Sequence, residues 1–247
     1  MVGQSTRHPK SSTTNLARAI AAKGAVVINP TYGGRGTTGG RSADVVRTSR
    51  DQTTCAVWFA IENAVAYGGD VSDIRLVGFS GGANAAAAVA MYPSNDDSRC
   101  RAPASDFAVS EVVAFEGDLT LQPAFDPVLR DDPSFYDEMT VWSHIADYTG
   151  GPIHVLVDAE STIAVPSGVE EYLDLRHPDG PIREAWEALG VIDEDRATLV
   201  QANTMFHNLL LEAGHETTLT TIEAANHSIT PTAQAAIIDL LFGDTGN

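Results

Sequence analysis

Short apolar runs alternate along the chain with longer segments of helical pattern. The apolar or alternating runs at residues 25–28, 74–79, 111–116, 153–157 and 217–223 predict buried β-strands. Between and after them, helices are predicted over residues 15–23, 51–66, 80–91, 168–176, 202–213 and 230–242. Because strands and helices alternate, the pattern predicts an α/β fold with a mostly parallel sheet covered by helices on both faces.

The whole chain, residues 1–247, is predicted to form a single domain, since neither an internal repeat nor an interdomain linker is visible. Residues 119–150 favour loops and short helices, and residues 176–197 form an excursion broken by proline. We expect both segments to act as a small cap or to shape a pocket. Their aromatic residues, Trp142, Tyr148 and Trp186, are candidates for lining it or for the core.

The composition narrows the possible partners. The chain has 247 residues, 43% of them hydrophobic, so it can bury a large core and is not of the disordered class. Its 15 basic and 33 acidic side chains give a net charge of −18, which argues against a nucleic-acid partner. No apolar run approaches the roughly 18 residues of a membrane-spanning helix. The acidity fits either a biased composition or a high-salt environment.

The cysteines and the amino terminus bear on compartment and cofactors. Cys55 and Cys100 are too few for a thiolate metal site, and two buried free thiols are favoured over one disulfide. Residues 1–14 are polar and lack the apolar segment of a leader peptide, which favours a cytoplasmic location. No metal and no organic cofactor is predicted.

One short motif carries chemistry. Gly78-Phe79-Ser80-Gly81-Gly82 joins a predicted strand to a predicted helix, the context in which G-x-S-x-G forms a nucleophile elbow. Small neighbours permit the strained turn that lifts a serine hydroxyl above the sheet. Ser80 is therefore the candidate nucleophile, and the backbone N–H of Gly81 is a candidate donor to an oxyanion.

A serine needs a base and an acid to act as a nucleophile. Of the seven histidines, His227 follows the last predicted strand and precedes the last helix, where the base belongs in the chain order serine, acid, histidine. The acid is expected after the strand at 153–157, where Asp158 and Glu160 are the candidates. Glu160 is favoured because it lies further from the strand end, and Asp118 is a third candidate.

With these residues in place, the sequence resembles the α/β-hydrolase superfamily, and within it the hormone-sensitive-lipase-like and feruloyl-esterase-like carboxylesterases. The resemblance covers nearly all of the chain. It is carried by residues 76–84 with the alanines that follow, by residues 51–74, by Tyr32, by Ala213-Gly214 and by Asn226-His227-Ser228. It implies a three-layer α/β-hydrolase fold and hydrolysis of a small-molecule ester through an acyl-enzyme.

The sequence departs from this family at two places. Thr162 stands where the family has its catalytic Asp, so Glu160 would have to substitute from two residues earlier. The family's His-Gly-Gly oxyanion loop is not found before the first helix, and Gly3 and Gln4 are the residues left to supply the second oxyanion donor. The resemblance therefore implies a fold that is short at its amino terminus. Its third strand, expected between those at 25–28 and 74–79, would be missing. Either a start codon assigned too late or a genuine short form of the fold would explain this.

Two alternatives to an esterase remain open from the sequence. The two departures favour a non-catalytic or weakly active scaffold used for binding, whereas the complete elbow and His227 oppose it. An amidase or peptidase of the same fold would use the same residues. The sequence does not predict an oligomeric state.

Overall fold

The fold is built on a six-stranded parallel sheet with strand order β2-β1-β3-β4-β5-β8. A computed structural model describes residues 2–5, 10–32, 43–93, 100, 108–117, 119, 138, 140–161, 164–165, 173–174, 177–188, 190, 197–223, 225 and 227–243. The sheet strands are β1 (Val2–Ser5), β2 (Thr31–Tyr32), β3 (Ile74–Phe79), β4 (Val109–Phe115), β5 (Ile153–Asp158) and β8 (Thr217–Ile222). A separate antiparallel pair is formed by β6 (Ala164–Val165) and β7 (Ala197–Thr198).

Helices cover both faces of the sheet, as the alternating pattern predicts. They are α1 (Lys10–Ala21), α2 (Ala43–Ala64), α3 (Gly81–Met91), α4 (Pro181–Ala188), α5 (Leu199–Glu212) and α6 (Pro231–Phe242). The apolar residues of α2, α3 and α5 form one buried cluster with one face of the sheet. Those of α1 and α6 form a second cluster with the other face. The result is the three-layer α/β arrangement of the α/β-hydrolase fold.

The central strands bring their carboxyl ends to one edge of the sheet. Phe79 of β3 lies opposite Phe115 of β4, and Phe115 lies opposite Leu156 of β5. All three side chains are buried, which fixes this register because a slip of one residue would turn them to the other face. Residues that follow β3, β4 and β5 therefore emerge side by side.

The amino-terminal part of the sheet differs from the prediction. Residues 25–28 form no regular element, and the strand lies instead at Thr31–Tyr32. Ala25 and Val27 pack against the cluster formed with α1 and α6, so this apolar run reflects burial without strand pairing. Val2–Ser5 forms β1 between β2 and β3, in the place where a strand was expected to be missing. The sequence showed no strand pattern at Val2–Ser5, because these four residues have little apolar character.

Other boundaries shift locally. Helix α2 begins at Ala43 rather than at residue 51. Helix α4 lies within the predicted excursion of residues 176–197, and the β6–β7 pair was not predicted. A 3-10 helix, Val141–Asp147, falls in the segment predicted to hold short helices. The predicted helix over residues 168–176 lies almost wholly outside the described residues. Trp142, Tyr148 and Trp186 are all buried in the cluster beneath α3 and α5.

The cysteines form a disulfide, so the expectation of two free thiols is wrong. Cys55 on α2 is bonded to Cys100, with a Cα–Cα distance of 5.5 Å. Their separation of 45 residues gave no indication of this proximity, which is set by the tertiary fold.

Within the part of the chain that the structure describes, no helix is long and apolar enough to cross a membrane.

Candidate active site

Ser80 occupies a sharp turn between β3 and α3. Its backbone has φ 56° and ψ −126°, and its N–H donates to the carbonyl of Phe115 at 2.9 Å. A side chain at position 78 would collide with the backbone carbonyl of Gly82, so this glycine is required by close approach of strand and helix. The turn thus has the geometry predicted for a nucleophile elbow.

His227 lies beside this serine. It emerges from the loop between β8 and α6, and its Nε2 is 3.0 Å from the Ser80 hydroxyl. The Phe79 ring packs against the imidazole with a centroid distance of 5.1 Å, and Thr230 caps the helix that follows. About a quarter of the His227 side chain is exposed, so the serine–histidine pair can be reached from solvent.

The carboxylate that faces the imidazole belongs to Glu116. Its Oε2 lies 3.0 Å from Nδ1 of His227, and its Oε1 accepts a hydrogen bond from the backbone N–H of Asp158. The Glu116 side chain is fully buried. A buried carboxylate is costly unless its oxygens are hydrogen-bonded, and here each oxygen has a partner. Ser80, His227 and Glu116 therefore form one continuous hydrogen-bonded chain.

The same three residues share an unusual backbone conformation. Among the described non-glycine residues, positive φ angles occur at Ser80 (56°), Glu116 (54°) and His227 (49°). Such conformations cost of order 1–3 kcal/mol each and persist where the surrounding structure imposes them, which is common at functional sites. The strain therefore supports, independently of chemistry, a functional role for this cluster.

The carboxylates favoured by the sequence lie elsewhere. Glu160 is exposed, and its backbone N–H donates to Asp158 Oδ1 at 3.0 Å. Asp158 is buried at the end of β5, where its N–H holds the Glu116 carboxylate. Asp118 and Thr162 lie outside the described residues. The structure thus brings Ser80 and His227 together, and it places Glu116 rather than Glu160 against the imidazole.

Glu116 was missed because it was read as the last residue of a buried strand. The detectable signal was a charged residue at the carboxyl end of the strand beside the elbow strand, followed directly by Gly117. In a parallel sheet that position is at the same edge as the nucleophile.

The candidate oxyanion donors fall in two places. Gly81 is the first residue of α3, and a side chain added there would meet nothing within 4 Å, so space is open above its backbone. Helix amino termini favour negative charge. Gly3 and Gln4 lie within β1, opposite Gly78 and Thr31 respectively. Their role as donors stays a prediction.

The other described histidines have partners away from Ser80, as expected for residues of structural role. Burial lowers the pKa of His207. These partners are the Glu138 carbonyl for His144, the Thr218 hydroxyl for His154, the Thr217 hydroxyl for His207, the Ile145 carbonyl for His215 and the Trp142 ring for His177.

No cluster of metal-ligating side chains occurs among the described residues. A cavity of about 440 Å³ opens at the opposite edge of the sheet, where Ile74 and Arg75 begin β3 and Phe242 ends α6. It is separate from the serine–histidine pair.

Several solved structures to which the chain is similar are esterases or lipases. The chain is similar to the esterase Est2 of Thermogutta terrifontis with propionate bound, at 17% identity and a TM-score of 0.63, over 97% of this chain and 79% of that one. Esterase B of Lactobacillus rhamnosis matches at 11% identity and a TM-score of 0.64, over 97% and 73%. A lipase/esterase of Lactobacillus plantarum matches at 14% and 0.58, over 97% and 84%. The sequence matches no protein-family model, and no curated protein matches it.

These similarities and the sheet order define the fold: the chain has the α/β-hydrolase fold. At these identities the likeness concerns the fold alone, and function depends on the site.

Proposed function

We propose that the protein is a serine hydrolase that cleaves carboxylic esters through an acyl-enzyme. The observation that carries this proposal is the hydrogen-bonded chain from the Ser80 hydroxyl through His227 to Glu116, with 3.0 Å at each step. Nucleophile and base within hydrogen-bond reach, with the base oriented by a third group, is the arrangement that activates a serine.

In the proposed reaction, Ser80 Oγ attacks the ester carbonyl while His227 Nε2 takes the hydroxyl proton. The N–H of Gly81 stabilises the negative oxygen of the tetrahedral intermediate. The imidazolium then returns the proton to the leaving alcohol, which leaves an acyl group on Ser80. A water molecule, activated by the same imidazole, releases the acid and restores the serine.

Glu116 takes the role of the acid in this proposal. It holds the imidazole so that Nδ1–H points at the carboxylate and Nε2 is free to accept from Ser80. The backbone N–H of Asp158 donates to the other carboxylate oxygen of Glu116 and holds it in place. The exposed Glu160 has no such position, so the threonine at 162 does not by itself leave the site without an acid.

Short-chain acyl esters are the substrates to test first, because one similar esterase was solved with propionate bound and another form of it with butyrate. We further propose that the single domain of residues 1–247 uses segments 119–150 and 176–197 to shape the acyl pocket. An amidase or peptidase would share the same catalytic groups. A protein that only binds a ligand is less well supported, because it would not need three strained residues joined by hydrogen bonds.

Two features of the chain point to different cellular locations. The cytoplasm, favoured by the polar amino terminus, stays a prediction. The Cys55–Cys100 disulfide argues against it, because disulfides persist mainly in oxidising compartments. A small-molecule ester remains the proposed partner, and a nucleic acid is disfavoured by the net charge of −18.

The test is hydrolysis of p-nitrophenyl esters of acetate, butyrate and octanoate by the wild type and by Ser80→Ala. The matched control is Ser72→Ala, an exposed serine in the turn before β3. We expect turnover in the wild type and the control, and its loss in Ser80→Ala. Turnover that survives in Ser80→Ala, or no turnover of any ester by folded wild type, would overturn the proposed function.

A further inference from the structure

A buried asparagine lies behind the site. Asn203 is in the second turn of α5, fully buried, in a helix whose inward face is otherwise apolar. Its Nδ2 donates to the carbonyl of Gly117 and to that of Leu199, each at 2.8 Å. Its Oδ1 is buried and has no hydrogen-bond partner among the described residues. An unsatisfied buried acceptor destabilises the fold. The side chain therefore carries a stability cost at a position that an apolar residue could fill.

The first of the two carbonyls belongs to the turn that carries Glu116. A Cβ at position 117 would lie 2.5 Å from the Ala83 side chain and 3.0 Å from Asn84 Oδ1, so the turn presses directly on α3. On the other side of the turn, Asn203 holds the Gly117 carbonyl. Residue 117 is thus fixed between the helix that follows Ser80 and helix α5.

Glu116 is held on its amino side as well. Its N–H donates to the carbonyl of Leu156 at 2.8 Å, which continues the sheet pairing one residue beyond β4. Its φ of 54° is unfavourable for a residue with a side chain and has to be imposed by its neighbours. Hydrogen bonds on both sides of Glu116 hold it in this conformation. The bond on the carboxyl side is the one that Asn203 donates to the Gly117 carbonyl.

We propose that Asn203 is a positioning residue for the hydrolase: by holding the Gly117 carbonyl, it fixes the turn from which the Glu116 carboxylate reaches His227. This inference rests on the proposed function. Among the described residues, its side chain hydrogen-bonds to Gly117 and Leu199 and not to the serine or the imidazole, so in this proposal it acts through Glu116.

Loss of the amide would free the Gly117 carbonyl and let residue 116 relax toward an ordinary φ. The carboxylate would then move away from Nδ1, and the imidazole would lose its orientation. A misplacement of about 1 Å in a catalytic group can cost on the order of 100-fold in rate. We therefore expect kcat to fall by about that factor, while KM is unchanged because substrate contacts are intact.

The test compares Asn203→Leu, which has similar volume and no donor, with Leu210→Ala, which removes a fully buried side chain from the same helix. Ester turnover gives kcat and KM separately. Proton NMR follows the low-field resonance of His227 Nδ1–H, a signature of its hydrogen bond to Glu116 that needs no turnover. Asn203→Ala is the second variant should the leucine variant fail to fold, since alanine fits the same space and has no side-chain donor.

The expected result is a roughly 100-fold lower kcat at unchanged KM, and a lost or shifted resonance, in the Asn203 variant alone. An Asn203 variant with kcat within about twofold of wild type and an unchanged resonance overturns the positioning role. So does an equal loss in Leu210→Ala, which would indicate general destabilisation. If the wild type shows no Ser80-dependent turnover, the proposed function fails and the resonance alone decides. Its loss in the Asn203 variant but not in Leu210→Ala supports the positioning role, and its persistence in both overturns it.

Discussion

Replacing Glu116 with glutamine changes one oxygen of the carboxyl group to an NH2 and leaves its shape intact. In the structure, Oε1 accepts from the Asp158 N–H, so the amide oxygen would keep that position. The amide NH2 would then face His227 Nδ1 at the present 3.0 Å and donate to it. His227 would be forced into the tautomer with its proton on Nε2, which cannot accept the proton of Ser80.

The expected loss is large because the wrong tautomer removes the base while the site stays folded. Loss of a triad acid by amide substitution lowers kcat by about 10⁴, or about 5.4 kcal/mol of transition-state stabilisation. The assay is steady-state hydrolysis of p-nitrophenyl butyrate by Glu116→Gln, with thermal unfolding to confirm the fold.

Glu160→Gln is the matched control, because it makes the same chemical change on an exposed carboxylate. We expect its kcat within about twofold of wild type, since exposed substitutions change little. The reasoning would be refuted by the opposite result, a Glu160→Gln enzyme that loses activity and a Glu116→Gln enzyme that keeps it.

Three further predictions concern stability. Replacing Cys55 and Cys100 together by serine opens a 45-residue loop and should lower the free energy of unfolding by about 4 kcal/mol, measured by urea denaturation; an unchanged midpoint would contradict the bond. Gly78→Ala should cost about 3 kcal/mol through its clash with Gly82, and a variant of wild-type stability would show that the turn is looser than described. Burial raises the pKa of Tyr148 to about 12, so stability present below pH 10 should fall as pH rises toward 12. Tyr148→Phe should show a smaller fall by circular dichroism, and an identical fall would refute this.

The elements that were predicted correctly are those whose buried residues form a recognisable pattern within a few consecutive positions. Strand β3 was predicted at its observed bounds, because Ile74–Phe79 is a short, mostly apolar run between turn residues. Helix α6 was predicted from Thr230-Pro231, and the structure shows the Thr230 side chain capping it. Strand β1 could not be found this way, because its pairing with strands distant in sequence supplies its stability.

The site was predicted to the same extent and for the same reason. Ser80 and His227 each stand in a local context, an elbow and a strand–helix loop, that the sequence shows. Glu116 does not: its place depends on the register of β4 beside β3, and on a left-handed backbone at its own position. Glu160 was favoured by chain order and by its distance from the strand end, and neither contains that register.

The disulfide is a similar case. The sequence contains the two cysteines but gives no indication that Cys100 lies beside α2, since contacts of long sequence separation are set by the tertiary fold.

The most direct test of the central claim, that Ser80, His227 and Glu116 act together on a carbonyl, is labelling by a fluorophosphonate followed by peptide mass mapping. The account predicts one adduct per chain, located on Ser80, and a labelling rate that falls by orders of magnitude in His227→Ala and in Glu116→Gln. No adduct on the folded protein, an adduct on another serine, or an unchanged rate in those two variants would contradict it.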